Sequence, residues 1–81
     1  MVPMANTTET FRRETAEGSE IVTIMAYLGA DNDDSDEIRR IVERDGTLVE
    51  DGIAYFGTSG QRWLDEQRSA YIAQGFESRP D

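Results

Sequence analysis

The sequence predicts a small α+β domain made of three helices, a β-hairpin and a C-terminal helix. Three observations carry that expectation. Apolar residues recur at helical spacing around 21–28, 38–42 and 63–71. Serine, threonine and glycine bracket these segments as caps and stops. Asp51-Gly52, set between two apolar runs, has the chemistry of a type I′ hairpin turn. The 81 residues leave room for one such domain, and a 37% apolar fraction gives it a thin core.

The elements follow in order. Residues 1–7 are small and polar and read as a flexible tail; the domain runs over 8–76, and 77–81 is a second tail. Thr8 caps a first helix reaching Glu17. The i,i+4 pairs Glu9–Arg13 and Arg13–Glu17 support it, and Gly18 stops it. Ser19 caps a second helix over Glu20 to Leu28, with Ile21, Ile24, Met25 and Leu28 on one stripe and Gly29 behind it. Ile21-Val22-Thr23-Ile24 is β-branched throughout, so this segment also has a strand reading. Its length and its Ser/Gly bracketing favour the helix.

Asp31-Asn32-Asp33-Asp34 is a polar turn leading to Ser35. Ser35 caps a helix to Arg44 with Asp36 and Glu37 in its first turn, where negative charge suits the dipole. Ile38, Ile41 and Val42 point inward and Gly46 ends the helix. The hairpin Thr47 to Phe56 then turns at Asp51-Gly52, placing Val49 opposite Ala54 and Leu48 opposite Tyr55. Gly57-Thr58-Ser59 opens the last helix, Gly60 to Gln74. Trp63, Leu64, Gln67, Ala70 and Tyr71 line its inner side, Arg62–Glu66 supports its outside, and Gly75 stops it.

Charge narrows the setting. All eight basic residues are arginine, and 17 Asp and Glu leave a net charge of −9. This acidic, lysine-free composition is haloarchaeal-like and points to a salt-adapted cytoplasm, where carboxylates keep proteins dispersed. The alternative is a G+C-rich codon bias combined with an acidic role. There is no run of 18 apolar residues and no signal-peptide pattern. Cytoplasmic localisation and no membrane partner are expected. The chain lacks Cys and His, so neither a disulfide nor a structural zinc staples so small a core. Oligomerisation is the staple left, and a homodimer is one expectation.

The segment Glu37 to Arg68 resembles the winged helix-turn-helix DNA-binding family. The likeness rests on Ile41-Val42-Glu43-Arg44-Asp45-Gly46, on Thr47-Leu48-Val49 before the Asp-Gly turn, and on Ile53-Ala54-Tyr55-Phe56 running into Gly57-Thr58-Ser59-Gly60. The resemblance implies a small winged-helix-like domain acting as a transcription regulator on duplex DNA. Ser19 to Leu28 would open the helix-turn-helix and Ser35 to Arg44 would be its recognition helix. Arg39 and Arg40 would face the major groove, where Arg reads guanine bidentately. Arg44 would touch phosphate, and Asp51 and Gly52 would form the wing tip.

Other readings stand beside this one. Asp36–Arg40 and Arg39–Glu43 are i,i+4 pairs that would hold both guanidiniums on a solvated helix face. Asp31, Asp33, Asp34, Asp36 and Glu37 make a capped, solvated loop. They lack the Gly and the bidentate Glu of a calcium hand, so no metal is expected. With no His, no Cys, no Walker loop and no Rossmann fingerprint, neither an enzyme nor a cofactor is expected. The alternative function is an acidic protein-interaction module, such as a phage-encoded DNA mimic that blocks a basic nucleic-acid-binding protein.

Overall fold

A computed structural model describes residues 7–30 and 35–80. Among them the order is β1 (Thr7–Thr15), β2 (Gly18–Ala30), β3 (Ser35–Arg44), β4 (Thr47–Gly57), α1 (Gly60–Ala73) and β5 (Glu77–Pro80). The strands form one antiparallel sheet in the order β4-β3-β2-β1-β5. The helix carries the chain from β4, at one edge, to β5, at the other.

This overturns the winged-helix expectation. The three segments read as helices are β1, β2 and β3, and only the C-terminal helix is helical among the described residues. The cause is apolar character on both faces of the sheet. Val22, Ile24 and Ala26 of β2 are buried under the helix, while Ile21, Thr23 and Met25 point the other way. Such a strand shows no period of two. Its Ile21, Ile24, Met25 and Leu28 fall at helical spacing only by coincidence. In β3, Ile38 is inside and Ile41 outside. Strand β1 buries Phe11 alone among its apolar residues, but four threonines favour the extended chain.

The hairpin expectation is displaced as well. The chain reverses at Asp45-Gly46, where φ is 51° and 80°, the double positive of a type I′ turn. Asp51 and Gly52 lie inside β4, opposite Ile41 and Arg40. Val49 and Ala54, expected to face each other, sit instead at two bulges where the β3–β4 register shifts. Glu77–Pro80, expected as tail, pairs with β1 as β5. The expected tail 1–6, the polar turn 31–34 and Asp81 lie outside the described residues.

The helix matches expectation closely. Leu64 is buried, Trp63, Gln67 and Tyr71 are half-buried on the sheet side, and Ala70 is exposed. Gly75 ends it in a Schellman motif. The Gly75 N–H donates to the Ile72 carbonyl, and the Phe76 N–H donates to the Tyr71 carbonyl. Phe76 then meets Tyr71 edge-on at 5.2 Å, the apolar contact that accompanies this cap. At the other end the helix takes its cap from a distant strand. Asp36 accepts from the Gly60 N–H at 2.8 Å and from the Gly29 N–H at 2.8 Å, tying the end of β2 to the start of α1. The core lies between helix and sheet: Phe11, Val22, Ile24, Ala26, Ile38, Leu64 and Phe76.

Candidate interaction surface

The two faces of the sheet differ in kind. The inner face, beneath α1, carries its charges in closed pairs. Glu9 is nearly buried and accepts from Arg68 Nη2 at 2.7 Å, from Arg68 Nε and from the Ser78 hydroxyl. The Arg68 guanidinium holds the Glu9 carboxyl below its ordinary range, aided by Ser78 and opposed by burial. Glu20 is held down first by Arg13, with Arg44 adding to it. Arg13 also donates to the Gln74 carbonyl at 2.9 Å and stacks its guanidinium 4.5 Å from the Phe76 ring, so it fastens the end of α1.

The residues expected to contact DNA are dispersed by the strand geometry. Adjacent residues of a strand point to opposite faces. Arg39 is therefore outside and bonded to Asp51 at 2.8 Å, whereas Arg40 is inside and bonded to Glu50 at 2.5 Å. Glu50 raises the Arg40 pKa. Arg44 lies at the end of β3 against Glu20 at 3.3 Å. Asp51 is the partner of Arg39, and Gly52 is the residue across from Arg40. No single surface gathers all five. Among the described residues, Arg12, Arg13, Arg39, Arg40, Arg44, Arg62 and Arg68 each form an ion pair with a carboxylate.

The outer face is the one left uncovered among the described residues. Register places Ile21, Met25 and Tyr27 of β2, Ile41 of β3, and Leu48, Ile53 and Phe56 of β4 on it. Leu48, Ile53 and Phe56 are 57%, 62% and 65% exposed. These three have mixed sequence parity and could not share a face of a regular strand. The bulges at Val49 and Ala54 each shift the alternation by one residue and bring them together. No hairpin pattern in the sequence contains that information. The signal that was present is simpler: more apolar residues at strand positions than one short helix can cover.

No family model, no curated protein and no solved structure matches this chain. No helix among the described residues is long and apolar enough to cross a membrane. Among them no cluster of three or more acidic side chains is placed to hold a metal ion.

Proposed function

We propose that this chain is an acidic protein-interaction module whose working surface is the outer face of its sheet. The observation that carries the reading is the exposed row Leu48, Ile53 and Phe56 on β4, with Ile41 of β3 beside it and Met25 and Tyr27 of β2 on the same face beyond Glu37 and Arg39. Large apolar side chains left exposed in a row on a small domain mark a site of association. The closed arginine pairs support a protein partner over duplex DNA, because each guanidinium would have to leave a carboxylate before meeting a phosphate. The acidic, lysine-free composition supports a salt-adapted cytoplasm as the setting.

Anisotropy titration of a labelled random duplex, at low and at molar KCl, tests the reading. No binding is expected at either salt. Binding that weakens in the Arg39→Ala, Arg40→Ala variant would return these arginines to a DNA-contacting role and refute the proposal.

A further inference from the structure

Two carboxylates on β3 stand open on the outer face of the sheet. Glu37 and Glu43 point outward, are half-buried, and form no ion pair among the described residues. Glu14 and Asp51 also face outward, but Arg12 and Arg39 answer them. Glu77 lies exposed on the edge strand with Arg12 directly across from it.

The register gives Glu37 and Glu43 the same setting. Glu37 stands between Tyr27 of β2 and Phe56 of β4, and Glu43 stands between Ile21 and Leu48. Opposed side chains in a sheet start about 5 Å apart, so each carboxylate has a large apolar neighbour on either hand. Ile41 and the Arg39–Asp51 pair lie between the two glutamates. Six residues of strand at about 3.3 Å each set the carboxylates roughly 20 Å apart. A carboxylate with apolar flanks suits a guanidinium, whose N–H groups donate to the oxygens while its weakly hydrated plane rests on the flanks. At Glu37 the flanks are aromatic, and Tyr27 and Phe56 add cation–π attraction. A lysine ammonium is more strongly hydrated and gains less there.

Resting on the interaction reading above, we infer that the outer face takes an extended basic segment of a partner protein, with two arginines docked at Glu37 and Glu43 and apolar residues between them. Side chains on one face of an extended chain repeat every second position, as they do on β3 itself. Arginines six residues apart therefore match the two glutamates. The partner's residues two and four places after the first arginine then lie over Arg39, between Met25 and Ile53, and over Ile41. The net charge of −9 draws a basic segment in. A partly buried ion pair is screened less than an open one, so the contact holds in a salt-adapted cytoplasm.

NMR titration of the isotope-labelled full chain with the peptide Arg-Ser-Leu-Ser-Leu-Ser-Arg tests this. The amides of Glu37, Glu43 and their cross-strand neighbours are expected to shift. Glu37→Gln, Glu43→Gln keeps the shape and is expected to weaken binding at least about 10-fold. Glu17→Gln, Glu66→Gln removes the same charge away from the outer face and is expected to change binding less than about 2-fold. A peptide of the same composition with its arginines adjacent is expected to bind more weakly. No shifts, equal weakening by the two double variants, or equal binding of the two peptides overturns the inference. In that event an apolar dye separates the two readings. Dye bound by the wild type and lost in Ile53→Glu, Phe56→Glu leaves an interaction face with a different partner, whereas equal dye binding ends both. Circular dichroism checks that this variant is folded, and Leu48→Glu serves on the same face if it is not.

Discussion

The pair Glu9–Arg68 joins β1 to the helix across 59 residues of chain, and Glu9→Gln isolates its worth. The substitution keeps the shape but removes the charge and turns an N–H group toward a guanidinium that can only donate. A hydrogen bond to a charged group contributes roughly 1.5–3 kcal/mol when sheltered, against roughly 0.2–1 kcal/mol for an exposed ion pair. Glu9 is sheltered, but the Arg68 side chain is 45% exposed, so the loss falls between these limits. We expect about 2 kcal/mol near neutral pH, or roughly 8–16 °C in Tm for a domain of this size. The effect must also depend on pH. The folded Glu9 carboxyl titrates below its ordinary value of 4.5, so its contribution is complete above the unfolded pKa and is lost as pH falls through the folded one. Glutamine does not titrate, and the gap between wild type and variant therefore closes on acidification. Glu14 and Glu20 also titrate low, but both chains retain them, so the difference cancels their contribution. Urea unfolding followed by Trp63 fluorescence, at about pH 7 and about pH 3, measures the gap. A gap under about 0.5 kcal/mol at neutral pH, or an equal gap at both, refutes the assignment.

Two glycine substitutions test the local geometry. Gly60→Ala places a methyl 2.7 Å from the Asp36 side chain, so a change that normally favours a helix is expected to cost about 1–3 kcal/mol in urea unfolding. The cost should shrink in an Asp36→Ala background, and additive losses would exclude that contact as its source. Gly46→Ala is expected to cost roughly 1 kcal/mol for a side chain at φ 80°, whereas Gly52→Ala, in open space within a strand, should be neutral or slightly stabilising. The reverse order would mean that the chain turns at Asp51-Gly52 after all.

These two dipeptides show where the sequence was legible and where it was not. Asp45-Gly46 and Asp51-Gly52 carry the same turn chemistry six residues apart, and local propensity cannot choose between them. The choice is made by pairing: turning at Asp45-Gly46 lets all of β3 run beside β4 with Arg44 opposite Thr47. The helix was legible from Trp63 to Gly75 because it has one wet side and one dry side, and its stop signal is local. β2 was illegible for the opposite reason, since apolar side chains on both faces erase the alternation that marks a strand. The i,i+4 pattern Glu9–Arg13–Glu17 also misled. Arg13 pairs across the strands with Glu20, and Glu9 pairs with Arg68, so those charges serve tertiary contacts that no short spacing reveals.

The placement of charge bears on the choice of partner more than its total does. Eleven acidic residues and all eight arginines lie on the strands and the helix, leaving only −3 there. The other six acids are Glu17 and Asp45 in the two hairpin turns, Asp31, Asp33 and Asp34 between β2 and β3, and Asp81. A phosphate mimic needs carboxylates spaced along an open surface, whereas here Glu14, Glu20, Glu50 and Asp51 of the sheet are each answered by arginine. Glu37, Glu43 and Glu77 on the sheet, like Glu17 and Asp45 in the turns, form no ion pair among the described residues. Acidity is thus shared between turns and sheet, and the arginine pairs break up the uninterrupted carboxylate row that a phosphate mimic would need.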